Sequence, residues 1–294
     1  MINLRTLLRL DDPRKAMTES SWAVFQSKPS AMLGLIGFVI IVIFALAGLF
    51  ISSHAQGDPL LPPSWHNNGN TTFLLGTDIL GRDILMRLIQ GASLTIGTSF
   101  LSVAAAMVIG VGLGILGAYN RGNVLLIIMR TMDIIFAIPS LVLALVVVAL
   151  LGPGLINAGI AVMIVLLPNF VRTTVSNVEE ELQKPYVEAA TLDGAGTYRI
   201  LFKSVFPNIT APLVLQITIA LSIAIVDITL LGFLGMGAQS PSPEWGTMLY
   251  DARTSMHIAP WAVTMPGLAI LMTVLFINFI GDGLNRVIRM RKQK

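Results

Sequence analysis

The chain has 294 residues, of which 54% are hydrophobic and only 12% are charged. Because soluble domains typically contain about 25% charged residues, this composition excludes an ordinary soluble domain and indicates a protein embedded in a bilayer. The net charge is +3, and the absence of cysteine from the sequence excludes disulfides, thiol catalysis and thiolate metal sites.

Six segments are long and apolar enough to cross a membrane, since a spanning helix needs about 20 mainly apolar residues. They are 31–51, 94–118, 134–151, 155–171, 211–236 and 261–281. Between the third and the fourth, Gly152, Pro153 and Gly154 predict a tight turn. We therefore predict an all-α, polytopic membrane protein with about six transmembrane helices and with both termini on the same side.

The distribution of basic residues predicts the orientation of these helices. Of the 19 Lys and Arg residues, sixteen lie in segments on one side of the membrane and three in segments on the other. The basic-rich segments are 1–30, 119–133, 172–210 and 282–294, and the remaining ones are 52–93, 152–154 and 237–260. Because loops rich in Lys and Arg stay in the cytoplasm, we expect both termini and the 172–210 loop to be cytoplasmic.

A run of glycines in the second predicted span favours helix packing over nucleotide binding. Gly112, Gly114 and Gly117 match the pattern G-x-G-x-x-G, but a dinucleotide site needs a preceding strand, and this run lies inside an apolar span. Gly110 and Gly114 also form G-x-x-x-G, a spacing that lets two membrane helices approach closely. We expect these glycines to pack against another helix.

Neither ATP hydrolysis nor a metal centre is predicted for this chain. A P-loop needs a Lys that follows Gly, and none of the six lysines does so. The histidines, His54, His66 and His257, lie outside the predicted spans and lack the spacing of metal ligands. We expect no catalytic residue and no cofactor, so any ATP hydrolysis that drives this protein has to come from another chain.

The segment 185–207 has the pattern helix, turn, helix. Residues 185–192 are good helix formers, and the Asp-Gly pair that ends at Gly194 predicts a turn or a helix end. A second helix is predicted over 197–206, and we expect Pro207 to stop it.

Two interpretations of this segment are open. It is either an ordinary helical loop, or a docking surface on which small residues let a partner approach the backbone closely. In the second case Glu188 supplies one charged anchor. The small residues are Ala189, Ala190, Gly194, Ala195 and Gly196.

The same segment resembles the "EAA" signature of permeases in binding-protein-dependent ABC importers. The matching residues are Glu188, Ala189, Ala190, Gly194 and Pro207. The usual Ile-x-Leu-Pro ending is Ser-Val-Phe-Pro here, at 204–207, which departs from the generic motif but keeps its Gly-to-Pro spacing. In that family this loop forms the coupling helix, which sits in a cleft of the cytoplasmic ATPase. The resemblance implies that the matching residues couple this chain to an ATPase.

A second segment, 76–83, narrows the resemblance. Its matching residues are Gly76, Thr77, Asp78, Gly81, Arg82 and Asp83, and Arg87 follows. Further matches lie at 137–140, 231–237, 243–246 and 281–283. In order and position these motifs resemble the C-type permeases of dipeptide, oligopeptide and nickel importers. Residues 61–65 and 207–211 look most similar to the Sap-type peptide permeases, with the dipeptide permeases a near second.

The resemblance implies the type I permease fold of ABC importers and a division of the chain around it. Residues 1–30 would form a cytoplasmic tail, 31–51 the first helix, 52–93 a periplasmic segment, 94–282 the permease core and 283–294 a basic cytoplasmic tail. The location implied is the bacterial inner membrane. The implied partners are a homologous B-type permease subunit, two cytoplasmic ABC ATPases and a periplasmic substrate-binding protein, and no nucleic acid is expected.

Peptides, including cationic antimicrobial peptides, are the substrates that the resemblance favours. Nickel complexes, polyamines and haem precursors remain open within the same family. An ion-coupled secondary transporter is the alternative from a different class, and it predicts coupling-ion sites in repeated halves, of which the sequence shows no clear sign.

Without the resemblance, 76–83 has a structural interpretation. Thr77 or Asp78 would cap a short helix, and Asp78, Arg82 and Asp83 would form a local charge cluster. We favour this structural role, while the predicted outward position also allows contact with a substrate-binding protein or a partner permease.

Charged residues near the spans supply the remaining candidates. Asp227 is the one ionisable residue deep in a predicted span, near its outer end, and such residues usually face the bundle interior or a watery cavity. It either lines the translocation path and favours cationic substrates, or is a hydrogen-bonded structural Asp. Arg130 and Asp133 are three residues apart, so we expect them to pair at the cytoplasmic end of the third span as a fold or gating contact.

Overall fold

The structure, a computed structural model, describes residues 21–51, 56–66, 68–120 and 122–292. Most of the predicted tail 1–30, the end of the tail 283–294 and His54 therefore lie outside the described residues. The described part has no named β-strand, and two isolated antiparallel bridges pair Gln56 with Arg82 and Thr77 with Asp83.

The described residues form a helical bundle. Its helices are α1 (Ser21–Gln26), α2 (Pro29–Gly48), α3 (Ile84–Asn120), α4 (Gly122–Phe136), α5 (Ser140–Leu151), α6 (Leu155–Leu182), α7 (Pro185–Leu192), α8 (Thr197–Arg199), α9 (Phe206–Phe233), α10 (Trp245–Ala252) and α11 (Trp261–Lys292), with a π-helical segment, Ile200–Val205, between α8 and α9. Five of these helical rods are long and apolar enough to cross a membrane, or six if the bent pair α4 and α5 is one span. The predicted all-α fold with about six spans is confirmed.

The third predicted span, 134–151, differs most from the structure. It is not one rod, because α4 and α5 meet at an angle of 93° across a short break. Pro139 lies in that break, and a proline both lacks an N–H and disfavours helical geometry at the residue before it. The helix α4 also occupies most of the basic-rich segment 119–133.

Two further helix boundaries differ from the prediction. The second span begins at Ile84 rather than 94, because Asp83 accepts a hydrogen bond from the Leu85 N–H at 2.8 Å and caps the helix. Pro207 does not stop a helix: it lies in the first turn of α9, where no intrahelical N–H is required. The rod therefore runs without interruption from Thr197 to Phe233.

The packing of α3 against α6 confirms the predicted role of the glycine run. A Cβ added to Gly110 would lie 2.6 Å from the Cβ of Phe170, and one added to Gly114 would lie 2.5 Å from the Cβ of Thr174. These distances are shorter than any ordinary carbon contact, so only glycine allows the two helices to approach this closely. Gly112 faces away from this contact, with no atom within 4 Å of an added Cβ.

The central core lies mainly between α6 and α9, and buried side chains from α3, α5 and α11 pack into it. Its largest fully buried side chains include Phe170 and Leu166 from α6 and Ile225, Ile228 and Leu231 from α9. By contrast, many large apolar side chains on the outside of the bundle are exposed, among them Leu101 (69%), Val108 (68%) and Ile156 (78%). This arrangement of a packed interior and an apolar exterior suits a bilayer.

The short helix α10 is inserted between α3 and α9. Glu244 precedes it, is 0% exposed and accepts hydrogen bonds from the Gly246 and Thr247 N–H groups, each at 2.9 Å, so it caps the helix. Gly232 of α9 leaves room for this carboxylate, since an added Cβ would lie 2.4 Å from Glu244 Oε2. The close approach fixes the start of α10 against the last turn of α9.

Candidate functional site

The helix α7 ends in a turn that requires glycine. The Ala195 N–H donates to the Ala190 carbonyl at 3.0 Å and the Gly194 N–H donates to the Thr191 carbonyl at 3.0 Å, which is the paired pattern of a Schellman helix end. Gly194 has φ +77°, a conformation that side chains rarely adopt. The turn that the Asp-Gly pair predicted is present at this position.

The surface of α7 and of the turn after it is open. Glu188 and Ala189 are exposed, whereas Val187 is buried and holds the helix to the bundle. Within the described residues, no atom lies within 4 Å of a Cβ added at Gly194 or Gly196. The EAA segment, defined as 185–207, thus has exposed backbone and side chains at Glu188, Ala189, Gly194 and Gly196, which the rest of the described chain leaves uncovered.

A polar network holds the start of α7, and sequence analysis did not find it. Glu181, at the end of α6 and 5% exposed, accepts hydrogen bonds from Lys184 Nζ and from the Tyr186 hydroxyl. Asn208 of α9 donates to the same hydroxyl at 3.1 Å and to the Ser204 carbonyl at 2.8 Å. The only hint in the sequence is the Glu181 to Lys184 spacing of three residues, which permits a pair on one helical turn.

Tyr186 is the centre of that network. Partial burial and the hydrogen bond to Glu181 raise the pKa of Tyr186 to about 12, because both disfavour the phenolate. The hydroxyl therefore keeps its proton at neutral pH and remains a donor to Glu181 and an acceptor from Asn208.

The segment 76–83 is folded tightly against the loop before it. Gly76 and Gly81 have φ of +80° and +73°, and a Cβ added at either would lie within 2.4 Å of a backbone oxygen. Thr77 is 0% exposed and bridges the chain, since its hydroxyl donates to the Asp58 carbonyl at 2.7 Å and accepts from the Leu61 N–H at 2.8 Å. Neither Thr77 nor Asp78 caps a helix, because Asp83 has that position.

Asp78 belongs to a cluster of four charges rather than to a local cluster with Asp83. The Asp78 carboxylate lies 2.6 Å from Arg82 Nε and 3.5 Å from Arg87 Nε. Asp251 of α10 lies 3.3 Å from Arg82 Nη2 and 3.7 Å from Arg87 Nη2. All four side chains are at most 15% exposed. This network joins the loop to α3 and α10, and Asp251 was not foreseen because it is 169 positions from Arg82.

Asp227 is buried in α9, with 5% of its surface exposed. Its Oδ2 atom has no hydrogen-bond partner among the described residues. A carboxylate that lines a water-filled path would be exposed, and a structural carboxylate would have hydrogen-bond partners for both oxygens. In the described part of this chain Asp227 is neither exposed nor fully hydrogen-bonded, so both interpretations of it stay predictions.

Asp133 has two basic neighbours. Arg130 approaches it at 3.9 Å from three residues earlier, with a side chain that is 75% exposed, and Arg172 of α6 approaches it at 2.7 Å. The Arg172 guanidinium also lies 4.3 Å from the centre of the Phe136 ring, a cation–π contact. Arg172 thus ties the end of α4, next to the 93° bend, to α6. No sequence spacing links Arg172 to Asp133.

Comparison with known proteins shows the family. The family described as the binding-protein-dependent transport system inner membrane component matches residues 108–294. This chain belongs to that family. The N-terminal transmembrane domain of oligopeptide transport permease C also matches this transport component, at residues 17–63. The predicted resemblance to the C-type permeases is confirmed.

The relatives of this transport component cover nearly its whole length. It is 47% identical over 274 residues to the peptide transport system permease protein SapC of Escherichia coli O6:H1, with 92% of this chain and 93% of that protein covered. It is 47% identical over 268 residues to the di/tripeptide transport system permease protein DppC of Pseudomonas aeruginosa, with 90% and 88% covered. The chain is a multi-pass inner-membrane component.

Among solved structures, a chain of the inward-facing MetNI methionine ABC transporter is similar to this transport component. The two superpose with a TM-score of 0.58 at 21% identity, and the match covers 70% of this chain and 97% of that one. At this identity the match shows the fold alone, which is that of an ABC importer permease.

Proposed function

We propose that this chain is the transmembrane permease subunit of an ABC importer that moves peptides across the bacterial inner membrane. Two observations support this proposal: the chain belongs to the transport family, and its EAA segment has exposed residues where a partner could bind. Both relatives named above are peptide permeases at 47% identity, which favours di- and oligopeptides or cationic antimicrobial peptides over nickel, polyamines or haem precursors.

One of the two cytoplasmic ATPase subunits would bind at the EAA segment. Glu188 would form the charged anchor, and Ala189, Ala190 and Gly194 would let the ATPase surface approach the backbone. Pro207 would begin the rod α9 that leads from this contact into the membrane. ATP hydrolysis would reside in the partners, with both termini of this chain in the cytoplasm, as the excess of basic residues favours.

The remaining partners would be a homologous B-type permease subunit, which would enclose the pathway with this chain, and a periplasmic substrate-binding protein. The segment that contains Gly76, Gly81 and Asp83 would stay folded through the charge network of Asp78 and Arg82, and would face the binding protein. Alternating exposure of the pathway to the two sides would move the substrate. Asp133 and Arg130 would contribute to gating beside the bend.

A pair of glycines allows a controlled test of the ATPase contact. Gly194 and Gly122 both have positive φ, of +77° and +51°, and neither has an atom of the described chain within 4 Å of an added Cβ. Trp at either position introduces the same bulk and a similar backbone strain, but only Gly194 lies in the EAA segment. We expect Gly194→Trp to abolish co-purification of the ATPases or to uncouple ATP hydrolysis from peptide uptake, and Gly122→Trp to do neither. Stable ATPase binding with full uptake in Gly194→Trp would overturn the docking assignment.

A further inference from the structure

The contact between α6 and α7 is concentrated at one end of α7. Only Gln183 and Lys184 separate the two helices. At this end Glu181 accepts from Lys184 and Tyr186, and Asn208 donates to Tyr186 at 3.1 Å. One phenolic oxygen therefore joins the end of α6, the first turn of α7 and the first turn of α9.

At the other end of α7, no side chain of the last turn makes a hydrogen bond to another helix among the described residues, since the Thr191 hydroxyl bonds to the Val187 carbonyl within α7. Leu192, its last residue, is 83% exposed, and the turn at Gly194 is open. A helix that is fixed at its first turn and open at its last can change its angle by pivoting about the fixed turn. The side chains that fix the first turn then determine that angle.

There is space beside the fixed turn for such a movement. A cavity of about 540 Å³ lies between the ends of α6, α9 and α11. Its lining includes Asn177, Glu180, Lys184, Asn208 and Ile288. Lys184 and Asn208 belong to the network itself, so a shift of the network toward the cavity would meet no packed side chain there.

We propose that Glu181, Tyr186 and Asn208, here named the tyrosine clamp, are positioning residues that set the angle of α7 and so transmit ATPase movement to α6 and α9. The inference rests on the proposed function, because it takes α7 as the helix that the ATPase moves. The clamp fixes the orientation of α7 relative to α6 and α9, the two helices that lead into the membrane.

The proton on Tyr186 supports this role. Because the pKa of Tyr186 is raised to about 12, the hydroxyl donates to the Glu181 carboxylate throughout the physiological pH range. A hydrogen bond to a charged group is roughly twice as strong as one between neutral groups, so the hydroxyl is the dominant element of the clamp.

The first experiment measures the angle directly and needs no partner protein. The sequence has no cysteine, so spin labels can be attached at Ser176→Cys on α6 and Leu192→Cys on α7, both exposed positions. We expect one narrow distance distribution in the purified chain. Tyr186→Phe should broaden it about twofold, since loss of a charge-assisted hydrogen bond changes the populations by roughly tenfold. Tyr198→Phe, which removes a hydroxyl from a 73% exposed tyrosine of the same segment, should leave it narrow. An unchanged distribution in Tyr186→Phe overturns the clamp.

The second experiment separates positioning from folding. In proteoliposomes that contain the complete importer, uptake of radiolabelled dialanine is measured together with ATP hydrolysis. Tyr186→Phe and Glu181→Gln should retain ATPase binding while uptake per ATP falls by about tenfold, the effect of one lost charged hydrogen bond. A variant with an unchanged uptake ratio contradicts the clamp. If the wild-type complex neither binds ATPases nor hydrolyses ATP, the proposed function fails, whereas the distance measurement still decides whether the clamp sets the helix angle.

Discussion

Thr95 of α3 donates a hydrogen bond to the Glu244 carboxylate at 3.0 Å, across 149 positions of sequence. The same hydroxyl accepts from the Trp245 N–H at 3.2 Å. Both Thr95 and Glu244 are 0% exposed, so no water competes for these bonds. One threonine thus fastens the N-terminus of α10 to α3, a helix of 37 residues.

Thr95→Val is therefore expected to destabilise the fold. Valine has the same shape but leaves the buried Trp245 N–H without its acceptor, at a cost of about 1–3 kcal/mol, while Glu244 loses one of its donors and keeps the Gly246 N–H. Thr95→Ser keeps the hydroxyl and is the matched control, with a smaller loss. Thermal unfolding in detergent measures both variants, and equal melting temperatures for Val and Ser would contradict this account.

Glu244 predicts a pH dependence of stability. Burial, partly opposed by its hydrogen bonds, raises the pKa of Glu244 above its ordinary value of 4.5. The folded chain then keeps a proton that the unfolded chain has released, so this contribution is full below pH 4.5 and is lost as pH rises through the folded pKa. Unfolding measured from pH 4 upward should show less of this decline in Glu244→Gln, which does not titrate. The same slope in both proteins would exclude Glu244 as its source.

Two glycines of α3 give a matched test of helix packing. Gly110→Ala places a methyl group 2.6 Å from the Cβ of Phe170, whereas Gly112→Ala meets no atom within 4 Å. Gly112→Ala should stabilise the protein by up to about 1 kcal/mol through helix propensity, and Gly110→Ala should destabilise it by about 1–3 kcal/mol through overpacking. Melting temperatures that shift in the same direction would show that α3 and α6 are not in close contact.

For the network of Asp78, Arg82, Arg87 and Asp251, we expect substitutions to cause a large and non-additive loss of unfolding free energy. Asp251→Ala leaves Arg82 and Arg87 with one carboxylate between them, and removal of one partner from a buried ion pair costs about 3–5 kcal/mol. The double variant Asp251→Ala with Arg82→Ala should lose less than the sum of the two single variants. Additive losses in chemical unfolding would mean that Arg82 and Asp251 do not interact.

Asp227→Asn is expected to increase stability and to reduce transport. The change removes a buried charge whose Oδ2 has no partner among the described residues, so the melting temperature should rise by a few degrees. If the carboxylate favours cationic substrates, uptake of peptides should fall in the variant at a normal membrane level. Undiminished uptake of every peptide tested would remove Asp227 from the translocation path.

More of the helical fold than of the contacts between helices could be predicted from the sequence. Apolar length located the spans, because the bilayer imposes a minimum on each one, and the spacing of Gly110 and Gly114 located a close helix contact. The bend near Pro139 was missed, because a proline inside an apolar stretch is tolerated in membrane helices and does not by itself indicate an angle.

In the candidate site too, local structure could be predicted from the sequence, but contacts between distant helices could not. The helix end at Gly194 follows from local chemistry and was foreseen, whereas the partners of Asp78 and Asp133 were only half found. Asp251 and Arg172 join them through packing between distant helices, and no spacing along the chain reports such contacts. Tyr186 was overlooked because a tyrosine beside a helix start is common, and its role depends on Asn208 from another helix.

The closely packed helices α3 and α6 are expected to move together as one stiff unit. The 28 residues of α6 span about 42 Å at 1.5 Å per residue, so a tilt of about 5° moves one end by about 4 Å relative to the other. Pro168 lies inside α6, where a proline weakens the helix. The neighbouring Phe170 packs directly against Gly110 of α3, and this contact supports α6 against bending at that point. Force applied to α7 would therefore reach the far end of α6 as displacement rather than be lost by bending along the helix.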